Sequence, residues 1–459
     1  MLRASTARRT VPTVVRTLSG AVLGAALLLG ALAGCTSGSS PAPTPGASGT
    51  ASTGGTGSTP GTIRVPQDAT TIQGALDRAA PGDTVLVSPG TYEESVAVRT
   101  QDVVLRGTDR GGVVLDGGGL RPNGVVVTAP GVQVENLTVR DYTLNGVLVT
   151  GLTQDGGLAR GSDGYTRLDP DRYPPLQGFA VRYVTASNNG LYGVYAFDAQ
   201  HGVIEQSYAS GSADSGFYVG QCRHCDIVVR DNVAELNAVG YEQTNASDSV
   251  TVVGNRFTSN RVGASLMSDY QEAFEPQHGT ALVGNVVSDN HAAQTPAQAD
   301  GAWGVGVAVS GGQDDEIRRN RVTGNPSVGI QIASAEDIPP DGVRVVGNRA
   351  TGNGTDVAYL ASARAPGAGL CAQGNVLRTT LPAGLLDDWS CTGGGSARAA
   401  GGTLERPDAP PGISFRDVQA PPTQPSMPDD APTGARAPDV DVDAVRVPAA
   451  DLLADRTHG

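Results

Sequence analysis

The run Tyr218 to Cys225, YVGQCRHC, is the most distinctive in the chain. Its two cysteine sulfurs and the imidazole of His224 could hold a soft metal ion such as Cu(I), because thiolate and imidazole ligands select such ions. A lone Cys-x-x-Cys lacks the second pair that a structural zinc site requires. The simpler chemistry is a disulfide between Cys222 and Cys225, and a second between Cys371 and Cys391, which flank a 19-residue segment. A different set of groups is aromatic and carboxylic. Tyr195, Asp198, Tyr218, Gln221 and Glu242 return at one interval, and tyrosines beside carboxyl and amide groups suit sugar rings. Such rings offer apolar faces to stack on and hydroxyls to bond. All 32 basic residues are arginine, which excludes lysine-based chemistry.

The interval that places these groups is an internal repeat. A glycine followed by a short apolar strand returns as GVLV at Gly146, GVYA at Gly193, GFYV at Gly216, GYEQ at Gly240, GASL at Gly263, GVAV at Gly306 and GIQI at Gly329. The uninterrupted spacings are 23, 24, 23 and 23 residues. Asparagine pairs five positions apart ride on the same period: Asn232 and Asn237, Asn255 and Asn260, Asn285 and Asn290, Asn320 and Asn325, Asn348 and Asn353. Each period therefore holds two or three strands of a few residues, rich in Val and Ile and punctuated by Gly, Asn and Asp, with no stretch long enough for a helix. A leucine-rich repeat has a similar length, but its leucine and asparagine scaffold is absent. Stacked β-coils remain, with asparagines at equivalent turns bonding one another and the backbone.

Residues 70 to 98 (TTIQGALDRAAPGDTVLVSPGTYEESVAV) resemble the opening of pectin-lyase-like β-helices. Ile72, Ala75, Leu76 and Ala79 share one face of a short helix over residues 71 to 80, stopped by Pro81-Gly82, which would cover the open edge of the first coil. The resemblance spans roughly residues 62 to 395 and implies an all-β chain: a right-handed parallel β-helix solenoid of about a dozen coils with a short N-terminal capping helix, to which composition adds a disordered tether and tail. It is specific for fold and poor for function.

Alternation along the repeated strand sends Val147, Val194, Phe217, Tyr241, Ala264, Val307 and Ile330 inward, then Val149, Ala196, Val219, Gln243, Leu266, Val309 and Ile332. Gln243 in an apolar row is a discrepancy that a strand ending early would explain. The outward row reads Leu148, Tyr195, Tyr218, Glu242, Ser265, Ala308, Gln331, with coils about 4.8 Å apart. Tyr195, Tyr218 and Glu242 then form a solvent-facing ladder, with Asp198 and Gln221 at the turn three positions on. Insertions at about residues 151 to 176 and 268 to 278 leave the same strand end and should wall these five residues into one groove, because insertions grouped on one solenoid face often mark its binding face.

Catalysis finds less support. Glycosidases need two carboxyls about 5 to 5.5 Å or 6.5 to 9.5 Å apart; Glu242 and Asp198, two coils apart, stand near the upper limit. Asp314-Asp315 resembles the paired aspartates of polygalacturonases, but the accompanying His-Gly and Arg-Ile-Lys elements are missing. Tyr92-Glu93 resembles the opening of pectin methylesterases without their later Asp and Gln motifs, and Asp169-Pro170-Asp171 resembles the Asp-Pro-His of alginate epimerases without the histidine. No catalytic residue carries over, and no cofactor is identified. For the Cys222, His224, Cys225 group, β-helix proteins that assist copper maturation of nitrous-oxide reductase offer a resemblance.

The ends address the chain. Arg3, Arg8, Arg9 and Arg16 precede an uncharged stretch at residues 18 to 33, a signal-peptide pattern too short for the ~20 residues of a spanning helix. Arg8-Arg9 also allows twin-arginine export, although Pro12 interrupts the apolar run. Leu32, Ala33, Gly34 and Cys35 resemble the lipobox of bacterial lipoproteins, which implies a signal peptide at 1–34 and a lipid on Cys35 that anchors the chain to the outer face of the cytoplasmic membrane. Residues 35–62 are a Ser/Thr/Gly/Pro tether, 63–395 the β-helix, and 396–459 a Pro/Asp-rich tail whose composition predicts disorder or draping over the helix end. Loss of the four signal arginines takes the net charge from −14 to −18. Such a charge disfavours nucleic acid, and makes a polyanionic glycan awkward without bridging cations. The sequence thus points to an exported, lipid-anchored monomer that binds a cell-envelope or environmental polysaccharide. The alternatives are a polysaccharide lyase, hydrolase or epimerase, and a metal-handling (copper) accessory protein of the envelope.

Overall fold

The computed structural model describes residues 60–458 except 156, 160–166, 168, 299–300, 392–400 and 437–438. The expected signal peptide, Cys35 and nearly all of the tether lie outside the described residues.

Val- and Ile-rich strands of two to nine residues stack into three parallel sheets. Among the described residues, one sheet has twelve strands from Thr62–Val65 to Cys371–Gln373, one has eleven between Val96–Val98 and Thr380–Leu381, and one has ten from Gly90–Tyr92 to Arg349–Thr351. Neighbours in a sheet come from successive coils in fixed register, so Val147, Val194, Phe217 and Tyr241 pair in turn. These side chains are fully buried, as are the inward residues on later coils. Each buried Val, Ile or Leu contributes roughly 1.5–3 kcal/mol, summed along the whole coil interior.

Asparagines make the turns uniform. Asn255 Oδ1 accepts from the backbone N–H and side-chain amide of Asn232, both at 3.0 Å, while its own Nδ2 donates to Asn285 Oδ1 at 2.9 Å and to Val229 O at 2.9 Å. The same pattern continues through Asn320, Asn348 and Asn375, and on the adjoining turn through Asn237, Asn260, Asn290, Asn325 and Asn353.

The capping helix is shorter than its sequence pattern predicts, Ile72–Leu76, with Thr71 accepting from Gly74 N–H at 3.0 Å. Ile72, Ala75, Leu76 and Ala79 are buried on the first coil. Gln73 stands in for a missing strand: its Oε1 accepts from Ala97 N–H at 2.7 Å and its Nε2 donates to Ala97 O at 3.2 Å, so the sheet edge is closed.

Two expectations are corrected here. The strand holding Gln243 does not end early but runs Val239–Ser247, because the amide has partners inside the coil: Tyr241 Oη donates to it at 2.8 Å, and it donates to Ala246 O at 2.8 Å and Thr280 Oγ1 at 2.5 Å. The described residues of the tail are not disordered. From residue 401 onward they lie along the coils, because prolines need no partner for an N–H and arginines of the coils take the tail's carbonyls. Arg110 donates to Pro425 O at 3.0 Å, Arg182 to Gly434 O at 2.7 Å, Arg261 to Pro410 O at 2.9 Å and Arg321 to Pro448 O at 2.9 Å. In return Arg456 of the tail is buried, donating to Ser207 O at 3.0 Å and Asp231 O at 2.9 Å. Tail composition alone does not reveal donors that belong to distant coils.

Candidate functional site

Leu148, Tyr195, Tyr218, Glu242, Ser265, Ala308 and Gln331 pair in succession on the eleven-stranded sheet, so the outward row has the register read from the sequence. Its exposure is different. Tyr195 and Tyr218 are 0% exposed, which overturns the expectation of a solvent-facing ladder. The cause is the first insertion, which folds back over the sheet. Leu152, Ala159 and Tyr173 pack on Leu148, Tyr195, Phe197 and Tyr218 as a second apolar cluster outside the coil. Tyr192 joins it, with ring centroids 4.3 Å from Tyr195 and 4.8 Å from Tyr218. Part of the insertion's DGYTRLDPDRYPP sequence lies outside the described residues.

Asp198 and Gln221 do stand at the strand's end, both with positive φ, but both are fully buried. Gln221 Oε1 accepts from Ala273 N–H at 3.0 Å and so pins the second insertion. Neither carboxyl oxygen of Asp198 has a hydrogen-bond partner, and burial pushes this acid up to about 8. Of the five candidates only Glu242 lines an open groove.

That groove, of about 450 Å³, crosses the next four coils of the same sheet. Its floor carries Glu242, Ser265, Ala308 and Gln331 in one row and Thr244, Met267 and Ser310 in another. Asp269, Gln271 and Glu272 of the second insertion form one wall; Gln298 and Ala302 form the other. Arg406 of the tail stands at its edge and donates to Gln331 Oε1 at 2.6 Å. The second wall and Arg406 were missed by sequence reasoning. Only the wall had a signal: Asn290 and Gly306 are sixteen residues apart, whereas Asn237–Gly240 and Asn260–Gly263 are three apart.

Carboxyls gather at the end nearest the tyrosines. Ser215 Oγ donates to Glu242 and lies 3.2 Å from Asp214 Oδ1, and Tyr218 Oη donates to Glu272. Burial, and then the neighbouring Asp214 charge, hold Glu242 well above the usual carboxylate range. Burial pushes Glu272 up to about 8, against the opposing hydrogen bond from Tyr218. Oε2 of Glu272 has no partner. Glu272, kept largely neutral near pH 7, can donate a hydrogen bond and has a proton to deliver, and Glu242 is shifted in the same direction.

The remaining candidates are accounted for by structure. Disulfides join Cys222 to Cys225 and Cys371 to Cys391. With both sulfurs in a bond, Cys222, His224 and Cys225 offer no thiolate to a soft metal, and His224 instead pairs with Asp248 at 3.0 Å. Asp315 lies inside the coil, away from the groove, and accepts from Gln277 and Thr280.

A family model described as "Right handed beta helix region" matches residues 123–274 and 175–350. No curated protein matches the chain. Among solved structures, the A-module of the Azotobacter vinelandii mannuronan C-5 epimerase AlgE4 aligns at 18% identity over 67% of this chain and 91% of its own, with a TM-score of 0.39. Pectate lyase Pel9A aligns at 14% over 66% and 70%, with a TM-score of 0.36. The catalytic unit of a GH87 alpha-1,3-glucanase from Streptomyces thermodiastaticus aligns at 16% over 68% and 63%, with a TM-score of 0.40. The family match and the all-parallel stacking of the three sheets agree with one another: the chain is a right-handed parallel β-helix repeat protein.

Proposed function

We propose that this is an exported, lipid-anchored protein that holds a polysaccharide in the groove running from Glu242 to Gln331. One observation carries the reading: the groove crosses four successive coils, so it repeats its floor about every 4.8 Å, and a repeating polymer can meet equivalent positions on each. Ser265, Thr244, Gln271 and Gln331 supply hydroxyl and amide groups for sugar hydroxyls, and Val239, Val262 and Val305 supply an apolar strip. The groove's four carboxyls, even with those of Glu242 and Glu272 held toward the neutral form, face a single arginine, so the groove offers a uronate little counter-charge and favours a neutral or amine-bearing glycan.

Glycan arrays probed with residues 60–459 would identify the ligand. Ala308→Trp, which fills the floor, should then weaken binding more than about tenfold while melting stays within about 0.5 kcal/mol. Retained affinity in that variant would remove the groove from consideration. Glu272 supports a second reading as a polysaccharide-cleaving enzyme: it lines the groove as an acid that burial pushes up to about 8, Tyr218 fixes one of its oxygens, and a shift of the wall that uncovers the other, buried oxygen would let it protonate a leaving oxygen. Product analysis on the bound glycan decides between the two: cleavage lost in Glu272→Gln with binding kept supports the enzyme, and an unchanged glycan supports binding alone.

Anchoring is tested separately. Cys35→Ala should move the protein from the membrane fraction to the soluble one without changing its melting. Unchanged partitioning would refute the lipid anchor.

A further inference from the structure

Asp315 and Gln277 are both 0% exposed, at the start of neighbouring coils. Gln277 Nε2 donates to Asp315 Oδ1 at 2.8 Å, and Thr280 N–H donates to that same oxygen at 3.0 Å. The other two oxygens, Asp315 Oδ2 and Gln277 Oε1, have no hydrogen-bond partner. Both converge on the space over Gly312, where an added Cβ would stand 2.2 Å from Asp315 Oδ2 and 2.6 Å from Gln277 Oε1. Two desolvated acceptors turned toward one another are costly, and one hydrogen between them removes the cost on both sides. Turning the amide over exchanges its nitrogen and oxygen but leaves the pair one hydrogen short.

We propose that Asp315 is a protonated acid paired face to face with the Gln277 amide, and that this pair is a pH-operated fastening for the groove wall formed by residues 268–278. In the fastened state Asp315 Oδ2–H donates to Gln277 Oε1 while Gln277 Nε2–H donates to Asp315 Oδ1, two parallel hydrogen bonds closing a ring. Gln277 ends the insertion, and its N–H donates to Ser268 Oγ at 3.0 Å, while Ser268 Oγ donates to Gly311 O at 2.7 Å. Both ends of the wall are therefore tied at this point. Asn245 holds the middle, donating to Asp269 O at 2.6 Å and Glu272 O at 3.0 Å.

Burial raises the Asp315 acid to about 7, with the Asp314 charge adding to the effect and the bonds from Thr280 and Gln277 opposing it. Tyr241 is the other titratable neighbour, and burial keeps its phenol protonated. The native value lies above the ordinary 3.8 of an aspartate, so the contribution of the pair is fully present below about pH 4 and is lost as pH rises through about 7. Ionisation leaves Gln277 Oε1 facing a carboxylate, and the wall end loosens.

The inference rests on the groove reading for its importance to ligand, but its test needs none. Hydrogen exchange of residues 268–279, corrected for intrinsic rates, should quicken about tenfold between pH 6 and pH 8 in the wild type. In Asp315→Asn the new amide donates to Gln277 Oε1 at every pH, so protection should stay flat at the wild-type pH 6 level. Parallel pH profiles for the two proteins would overturn the proposal. Carbon-13 NMR of the Asp315 carboxyl provides an independent reading: a midpoint near 7 is expected, and one below about 5 would also overturn it. Failure here would leave the groove untouched, whereas failure of the Ala308→Trp experiment would leave the fastening intact.

Discussion

Replacing Tyr218 with alanine is expected to destabilise the protein by about 3–5 kcal/mol, the usual cost of emptying a buried aromatic site. The ring lies outside the coil, yet it is fully buried, with centroids 4.8 Å from Tyr192 and 4.9 Å from Tyr195, beneath Leu152 and Tyr173 of the first insertion. Its hydroxyl donates to Glu272, so Tyr218→Phe should cost about 1–3 kcal/mol by leaving a buried acid without its donor. Urea melts of the three proteins measure both values. A loss below about 1 kcal/mol for alanine would show that the insertion does not cover the sheet in solution.

Asn255→Ala should be comparably damaging, by about 3 kcal/mol or more. Its side chain serves Asn232 on one coil and Asn285 on the next, so its removal orphans the Asn232 N–H and also removes the amide bonds to Val229 O, to Asn285 Oδ1 and from Asn232 Nδ2, while the residue 255 N–H still serves Asn285 Oδ1. Each orphaned buried group costs about 1–3 kcal/mol. Asn375 ends the same ladder, is half-buried and serves one coil only, so alanine there should cost about 1 kcal/mol. Thermal melting of the pair measures the gradient. Equal costs would mean that the ladder is not cooperative along the solenoid.

The coil architecture was legible in the sequence because a solenoid writes its register directly into its period. Gly193, Gly216 and Gly240 fix which residue stacks on which, and Tyr195, Tyr218 and Glu242 fall in one row as that spacing requires. Exposure was not legible. Outward means away from the coil interior, and nothing periodic says whether an aperiodic insertion will fold back over the row, as Leu152 and Tyr173 do. Glu272 was invisible for the same reason, since it lies inside an insertion and reaches the row only through Tyr218. Gln243 looked anomalous because its partner Thr280 belongs to a later coil. The tail misled because its carbonyl partners are arginines scattered from Arg110 to Arg321.

If the first insertion seals the tyrosine row, the adjoining groove is left to take the ligand. Hydrogen exchange with and without the glycan selected on arrays tests it most directly. Added protection is predicted in Val239–Ser247, Val262–Met267, Val305–Ser310 and Val328–Ala333, the four strands beneath the groove, with no change at Val147–Thr150 or Val194–Phe197. Protection confined to those last two strands would place the ligand on the tyrosine row and rule out the groove as its site.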